Sequence, residues 1–408
     1  MNAKLLFIML LCAQVLHAQD FWEPVLPSFG FALTLAANSH GHIFASGFYR
    51  STDGGTTWVQ VNSGLPSGGL FLAVNPLNDD LFGSVGERVY RSTNNGDIWV
   101  LRDSLTFHTE NGRLTFNNQG ILFVYGDTLR RSSDNGSTWS IVHNGLPFGQ
   151  MPDIRVHSNG DIYVARKGDW LFRSSNNGDN WIALPLPAIP PPPPGLDADA
   201  IAFGSGGNIY VGDDGQGFFR STNSGSSWEQ LNNGLPNTFV WALAVSNGGH
   251  IFAGMANGGV YRSTNGGTQW DSVNTGLASQ SRRIYSLLIA PSGYIFAGTT
   301  GGIYRSTQPL TDVGANLNNL VTQYFLSQNY PNPFNPSTVI RYATPNQNKI
   351  ILNIYDLLGR EVATLESAVK HKGTYEVEWN AGALPSGVYF YRLQAGSFNE
   401  TKKLILLR

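Results

Sequence analysis

Charged and aromatic side chains collect in the segments of this chain where an otherwise repetitive sequence stops repeating. They supply carboxylates, guanidinium groups and flat aromatic rings, which bind ligands when a rigid scaffold presents them. The candidate ligand-binding residues are Glu87, Arg88, Glu110, Arg166, Asp169, Trp170, Asp213, Asp214, Trp241, Arg282, Arg283 and Tyr285. We expect them to form a face that binds a glycan or a protein.

The carboxylates in this set also suggest hydrolysis or metal binding. Asp213 and Asp214 are adjacent, so on a strand their side chains point to opposite faces, and we do not assign them as a catalytic pair. With Asp197 and Asp199 they supply the oxygen ligands that calcium prefers, but their spacing follows no defined ligand pattern. We therefore predict no catalytic residue, no metal and no cofactor, and we keep a glycoside hydrolase as the alternative.

A ten-residue stretch that recurs about every 42 residues indicates the architecture that must position these side chains. Each copy reads as a strand, a tight turn and a second strand that starts at a tryptophan. In the turn, Asp or Asn can accept backbone hydrogen bonds, and glycine supplies a left-handed backbone conformation. The motif residues are Ser51, Asp53, Gly55 and Trp58; Ser92, Asn94, Gly96 and Trp99; Ser132, Asp134, Gly136 and Trp139; Ser174, Asn176, Gly178 and Trp181; Ser221, Asn223, Gly225 and Trp228; and Ser263, Asn265, Gly267 and Trp270.

Each repeat contains an apolar strand, a second strand of the Gly-x-Ile-Phe-Ala-Gly type, a Tyr-Arg-Ser strand and the tryptophan strand. Four strands per repeat predict an all-β fold, a seven-bladed β-propeller with one repeat per blade. There are seven inner strands but only six turn motifs, and residues 21–25 match the segment that follows each motif. We therefore expect the first and last segments to share one blade, which leaves no open sheet edge. The turn motifs would lie on one face and the variable loops on the other.

The repeated pattern Ser-x-Asp/Asn-x-Gly-x-x-Trp resembles the Asp-box of BNR-repeat propellers. That group includes sialidases, sortilin-type receptors, xyloglucan-active hydrolases and a photosystem assembly factor. A sialidase resemblance would imply an arginine cluster, an activated tyrosine and an acidic residue, but its Arg-Ile-Pro motif is missing here and that family has six blades. A xyloglucan-active hydrolase normally has two propellers. We therefore interpret the chain as a non-catalytic binding module. The alternatives are a sialidase-like or xyloglucanase-like hydrolase and, by the resemblance to the photosystem assembly factor, an assembly scaffold.

The C-terminal segment, residues 324–408, shows period-two alternation between turn signals, which predicts a small Ig-like antiparallel β-sandwich. Its recurrent motif residues are Asn329, Tyr330, Pro331, Asn332, Pro333, Phe334, Asn335, Pro336, Asp356, Gly359, Arg360, Gly387 and Tyr389. They resemble the type A sorting domain of the type IX secretion system. This resemblance implies that the secretion machinery is a partner and that the protein crosses the outer membrane of a Bacteroidetes-type bacterium.

The remaining segments complete the predicted organisation. Residues 1–18 have a basic start, a short apolar core and a small residue at the end, which is typical of a signal peptide. The propeller is expected over residues 19–307 and a linker over 308–323, with a proline-rich loop at 185–195. The net charge of −2, with 13% charged residues, argues against nucleic-acid binding. No later apolar run predicts a membrane span. The signal peptide and the sorting domain together imply a surface or secreted protein that passes through the periplasm.

Overall fold

The chain is almost entirely β in the computed structural model, which confirms the predicted fold class. The described residues are 20–27, 31–66, 71–86, 88–104, 113–125, 128–185, 187, 196–310, 324–326, 328–329, 332–371, 373–382 and 384–407. Two short 3-10 turns lie at Ser205–Gly207 and Ser279–Ser281. Within these residues, no helix has the length and apolar character needed to cross a membrane.

Seven four-stranded antiparallel sheets form in the described part of residues 22–306. Six of them use consecutive strands: β2 (Leu35–Ala37), β3 (Ile43–Ala45), β4 (Tyr49–Ser51) and β5 (Val59–Gln60); β6 (Phe71–Val74), β7 (Leu81–Val85), β8 (Arg88–Ser92) and β9 (Val100–Ser104); β10 (Arg113–Phe116), β11 (Leu122–Tyr125), β12 (Leu129–Ser132) and β13 (Ser140–Ile141); β14 (Asp153–Val156), β15 (Ile162–Arg166), β16 (Trp170–Ser174) and β17 (Ile182–Ala183); β18 (Ala198–Phe203), β19 (Ile209–Asp213), β20 (Gly217–Ser221) and β21 (Glu229–Gln230); β22 (Val240–Val245), β23 (Ile251–Met255), β24 (Val260–Ser263) and β25 (Asp271–Ser272).

The seventh sheet joins the two ends of this region. Its strands are β26 (Ile284–Ile289), β27 (Ile295–Thr299), β28 (Gly302–Ser306) and, at its outer edge, the N-terminal strand β1 (Trp22–Pro27). Trp22 is 1% exposed, and its Nε1 donates a hydrogen bond to the carbonyl of Val273 at 2.6 Å. Trp99 donates in the same way to Val61 at 2.7 Å. Trp22 therefore takes the place of the missing seventh tryptophan, as the sequence predicted.

The first strands of the seven sheets form a ring. Each lies beside the first strand of the next sheet, and β26 lies beside β2. The apolar side chains of neighbouring sheets pack between them, as Phe218 does edge-on against Trp270 at 4.8 Å between ring centroids. Four arginines of the Tyr-Arg-Ser strands donate to carbonyls in the turn of the next sheet: Arg50 to Asn95, Arg131 to Asn177, Arg220 to Gly266 and Arg305 to Gly54. The arginines thus tie adjacent sheets together.

The six turn motifs share one hydrogen-bonded arrangement. In each, the serine Oγ accepts from the glycine N–H four residues later, at 2.8–2.9 Å. In the third motif, Asp134 accepts from the backbone and hydroxyl of Thr138 at 2.8 and 2.6 Å. Gly136 adopts φ +81°, a conformation that favours glycine. The motif therefore holds the turn by satisfying its own polar groups.

The C-terminal unit consists of two antiparallel sheets around one apolar core. The three-stranded sheet contains β29 (Phe325–Leu326), β30 (Ser337–Thr344) and β33 (Gly373–Asn380), and the four-stranded sheet contains β31 (Asn348–Tyr355), β32 (Glu361–Lys370), β34 (Gly387–Ala395) and β35 (Phe398–Leu406). Phe334 packs against Trp379 in this core, and the Asn329 N–H donates to the Tyr391 hydroxyl at 2.8 Å. Asp356 accepts from the N–H groups of Leu358 and Arg360 and closes the turn at Gly359. The motif residues Asn329, Phe334, Asp356 and Gly359 thus contribute to the core and to a turn of this sandwich.

Several predicted features lie outside the described residues. They are the signal peptide, most of the linker and of the proline-rich loop, and motif residues Tyr330 and Pro331.

Candidate functional site

The candidate site lies on the face of the propeller where the inner strands begin. Because neighbouring strands are antiparallel, the segments that enter the inner strands lie on the same face as the loops between second and third strands. The six turn motifs join third to fourth strands and lie on the opposite face. Sequence variation and sequence repetition are therefore separated onto two faces.

A central channel of about 380 Å³ is lined by the inner strands of all seven sheets. At the face of the variable loops it contains a smaller cavity of about 150 Å³, which we call the mouth pocket. Its polar and aromatic lining residues are Arg113, Lys167, Asp199, Asp214, Trp241 and Tyr285, and Leu33 and Phe71 complete its wall. The channel volume lies within the range of small-ligand sites.

Three β-bulges place lining side chains at equivalent points of three successive sheets. The pairing register shifts between Ala198 and Ala200, between Val240 and Ala242, and between Ile284 and Ser286. The extra residues in these three strands are Asp199, Trp241 and Tyr285, and all three line the mouth pocket. A bulge re-aims a side chain relative to a regular strand. Strand geometry therefore brings a carboxylate and two rings to the same edge of the channel.

One ammonium group lies between two carboxylates of the pocket. Lys167 Nζ is 3.6 Å from Asp199 Oδ1 and 3.7 Å from Asp214 Oδ2. Burial raises the pKa of Asp199 to about 7, partly opposed by Lys167, and the charge of Asp214 raises it further. Asp199 Oδ2 is buried and has no hydrogen-bond partner within the described part of the chain. Near neutral pH, Asp199 therefore exists as a mixture of acid and carboxylate.

The aromatic wall is fixed by contacts with the same carboxylates. Trp241 Nε1 donates to Asp214 Oδ1 at 2.9 Å, and the Trp241 ring stacks against Tyr285 with centroids 5.9 Å apart and planes 26° apart. Phe31 meets Tyr285 edge-on at 5.7 Å, and the Arg283 guanidinium lies over Trp241 at 5.7 Å. Trp241 and Tyr285 are both partly exposed. They form an apolar surface beside the charged groups.

The structure brings together only part of the predicted binding set. Asp214, Trp241 and Tyr285 line the mouth pocket, and Arg283 is beside them. Arg282 and Arg283 line a neighbouring depression of about 600 Å³. Asp213 is 1% exposed, and its Oδ1 accepts from the Gln216 N–H at 2.7 Å, so it supports the loop beneath the pocket. Arg88 is exposed but does not line the pocket, while Glu87 and Glu110 lie outside the described residues.

Trp170 is corrected by the structure, because it is fully buried and presents no ring to a ligand. It has φ 76° and stands where the equivalent residues of other sheets are Gly217, Gly259 and Gly302. Its ring packs edge-on against Phe219 at 5.1 Å and against Trp228 at 5.4 Å. An aromatic side chain at this glycine position fills the space between two sheets.

Arg166 and Asp169 are likewise committed to the scaffold. Arg166 is 3% exposed; one of its terminal nitrogens donates to the Phe148 carbonyl at 2.7 Å and lies 2.9 Å from Asp169 Oδ2. The pair therefore braces the loop between the second and third strands of its sheet, the loop that also carries Lys167. The prediction that these two residues bind a ligand receives no support from their geometry.

Arg113, Lys167 and Asp199 are site residues that the predicted binding set left out. Aligning the starts of the inner strands would have found Asp199, because Ala198-Asp199-Ala200 occupies the same place as Val240-Trp241-Ala242 and Ile284-Tyr285-Ser286. Arg113 is the first residue of β10 and follows a segment outside the described residues. No sequence signal separated it from the other arginines.

The acidic residues of this face do not converge as metal ligands. Asp197 Oδ1 accepts from the Gly168 N–H at 2.8 Å, Asp213 accepts from Gln216, and Asp199 and Asp214 face Lys167. Among the residues with described positions, no group of three or more His, Cys, Asp or Glu could hold a metal ion. Asp197 and Asp213 each accept a backbone hydrogen bond, and Asp199 and Asp214 lie on either side of Lys167.

Comparison with known proteins identifies the C-terminal unit and the fold of the rest. Residues 328–407 match the family described as the secretion system C-terminal sorting domain. The unit is such a sorting domain, and it implies export to the cell surface or secretion. A xyloglucanase from a Paenibacillus species is 29% identical over 140 residues, which are 33% of this chain and 12% of that enzyme.

Two solved structures show the same architecture. PorZ of Porphyromonas gingivalis, described as an essential surface component of the type-IX secretion system, matches with TM-score 0.53 at 18% identity, over 94% of this chain and 60% of PorZ. YCF48, solved bound to a D1 peptide, matches with TM-score 0.59 at 17% identity, over 72% of this chain and 98% of YCF48. This chain spans less than two thirds of both PorZ and the xyloglucanase. At these identities the likeness shows the propeller fold alone.

Proposed function

We propose that this protein is exported through the type IX secretion system and binds a glycan at the mouth pocket of its propeller. In this proposal residues 1–18 are a signal peptide, residues 19–307 a seven-bladed Asp-box propeller, residues 308–323 a linker and residues 324–408 the sorting domain. The match of residues 328–407 to a sorting family supports the export route. The mature protein would be displayed on the cell surface or released.

The observation that carries glycan binding is the pair of bulged aromatic residues at the edge of the pocket. Trp241 and Tyr285 offer flat apolar faces, and the hydrogen bond from Trp241 to Asp214 fixes the orientation of one ring. Charged groups of Arg113, Lys167 and Asp199 lie next to these rings. A sugar has apolar ring faces and hydroxyl groups, so it can use both kinds of surface at once.

A glycoside hydrolase is the second candidate, and the pair Asp199 and Asp214 favours it. Two of their oxygens lie within 3.7 Å of the same Lys167 nitrogen, so they are no more than about twice that distance apart. Hydrolases use two carboxyl groups roughly 5 to 9.5 Å apart, one of them protonated. With its pKa near 7, Asp199 has the property of an acid catalyst. However, Lys167 lies where a substrate bond would have to lie.

A polysaccharide panel separates these candidates when retention and released sugar are both recorded. We expect retention without release for the purified protein, and loss of retention for Trp241→Ala. Phe148→Ala is the matched control, because Phe148 is an exposed ring on the same face that does not line the pocket. Sugar release that disappears in Asp199→Asn would establish the hydrolase instead. Binding of peptides but of no polysaccharide would point to a protein partner.

A further inference from the structure

We propose that the ligand of the mouth pocket is an acidic polysaccharide whose carboxylate groups bind Arg113 while its sugar rings pack on Trp241 and Tyr285. This inference rests on the proposed glycan-binding function and specifies the chemical class of the glycan. It is carried by the contacts of Arg113 and by the charges around it.

Arg113 is a partly buried cation whose hydrogen-bonding groups are unused within the described part of the chain. Its guanidinium lies over the Phe71 ring at 4.8 Å, and no described residue accepts a hydrogen bond from it. Its neighbour Asp153 accepts from Arg155 Nε and from the Ile201 N–H, both at 3.0 Å. Burial lowers the pKa of Arg113, which reflects the cost of keeping the charge away from water. An anion supplied by the ligand would offset that cost.

The other charges of the pocket leave room for this anion. Lys167 is 3.6 and 3.7 Å from Asp199 and Asp214, distances longer than a hydrogen bond. With a pKa of about 7, Asp199 carries only part of a negative charge near neutral pH. Burial also raises the pKa of Asp213, to about 6. The two cations of the pocket thus lie among the carboxyl groups of Asp153, Asp199, Asp213 and Asp214, and burial favours the neutral form of Asp199 and of Asp213.

A polymer is favoured over a single acid because the basic surface continues beyond the pocket. Arg283 lies over the outer part of the Trp241 wall, and Arg282 is next to it in the chain. Both side chains are exposed and line the neighbouring depression with Thr300. A chain with repeated carboxylates could bind Arg113 with one and the two exterior arginines with another. Guanidinium groups bind carboxylates through two parallel hydrogen bonds, which suits this role.

The same geometry predicts a pH dependence of binding. Asp199 faces Lys167 and Arg113, with Asp214 and Asp213 as its acidic neighbours. As the pH rises through about 7, Asp199 ionises and repels a ligand carboxylate. The affinity for an acidic polymer should therefore fall between pH 6 and 8, a range in which the ligand stays ionised. In Asp199→Asn this fall should disappear.

The experiment compares acidic polysaccharides with their carboxyl-reduced forms, which keep the same backbone. Polygalacturonate, alginate and hyaluronan are titrated into the full-length purified protein at pH 6, and each reduced form is titrated in parallel. We expect about a tenfold or greater preference for one acidic polymer, since charge-assisted hydrogen bonds are strong. Arg113→Gln should remove the preference and Arg113→Lys should retain part of it. Arg102→Gln is the matched control and should retain all of it, because Arg102 is an exposed arginine of the outer strand β9 and lines neither the channel nor the mouth pocket.

The outcomes distinguish this inference from the function on which it rests. Equal binding of an acidic polymer and its reduced form would overturn the acidic ligand and leave glycan binding intact. An unchanged preference in Arg113→Gln would overturn the role of Arg113. Binding of no polysaccharide at all would overturn both the inference and the proposed function. Circular dichroism and melting curves of each variant establish that a loss of binding is not a loss of fold.

Discussion

Aspartate residues at the two ends of the propeller have opposite acid–base properties. In the turn motif, hydrogen bonds from Thr138 and Ser132 lower the pKa of Asp134 to about 2. In the mouth pocket, burial raises the pKa of Asp199 to about 7. The turn supplies every donor that its carboxylate needs, whereas the pocket leaves one oxygen of Asp199 without a partner. Of these two aspartates, the fully hydrogen-bonded one belongs to the scaffold and the one with an unpaired oxygen lies in the site.

The largest effect should come from a substitution at the seam, the sheet in which the N-terminal strand β1 pairs with the last three strands of the propeller. Trp22→Ala removes a 1%-exposed side chain and its hydrogen bond to Val273. We expect the free energy of unfolding to fall by about 3–5 kcal/mol, the usual cost of removing a buried aromatic residue. Chemical denaturation measures this loss. A loss below about 1 kcal/mol would show that β1 is not needed to close the ring.

The next effect should be a different pH dependence of stability for the Asp199 and Asp134 variants. Between pH about 4 and 7, Asp199 is protonated in the folded protein but ionised in the unfolded chain. The free energy of unfolding therefore falls as the pH rises through this range. Asp199→Asn removes this penalty and should raise the free energy of unfolding above pH 7, by at most about 4 kcal/mol.

Asp134→Asn is the matched control for this comparison. Its low pKa gives stability that is present above pH about 4 and is lost as the pH falls towards 2. Asn occupies this motif position in four other repeats, so we expect an unchanged melting temperature at pH 8. An Asp199→Asn protein no more stable than the original at pH 8 would contradict the assigned burial of that carboxyl group.

A smaller effect should follow from opening one turn. Ser132→Ala removes the acceptor for the Gly136 N–H and the donor to Asp134. The buried N–H is then unpaired, which should cost about 1–2 kcal/mol of unfolding free energy. Ser140→Ala, at an exposed position on the following strand, should change it by less than about 0.5 kcal/mol. An equal loss of unfolding free energy in the two variants would show that the turn motif has no structural role.

The smallest change in stability should come from the mouth pocket, although the substitution there, Trp241→Ala, removes a large side chain. Trp241 is partly exposed, so Trp241→Ala should lower the unfolding free energy by no more than about 1 kcal/mol while it abolishes glycan retention. Trp22→Ala should show the reverse balance. If Trp241→Ala destabilised the protein as strongly as Trp22→Ala, the aromatic wall would be core rather than binding surface.

The fold could be predicted from the sequence because every sheet repeats the same solution with the same residues. The site could be predicted only in part. Trp241, Tyr285 and Asp214 stood out by residue type in variable segments, but Asp199 reaches the pocket only because a bulge shifts its strand. The prediction that Trp170 binds a ligand was wrong, because its φ of 76° directs the side chain into the core. The bulge at Asp199 can be found only when the starts of the inner strands are aligned with one another, and the positive φ of Trp170 is a local backbone event that the sequence does not reveal.

The seam also sets the order in which the molecule can be completed. Glu23 pairs with Arg305, a partner 282 residues further along the chain. Six sheets can assemble from neighbouring segments as they are made, but the seventh waits for its last three strands to meet the first. Contacts of such long sequence separation form late and slowly. Until β1 pairs with β28, a nascent or truncated chain carries an additional unpaired strand edge at this sheet, and such an edge can pair with another chain.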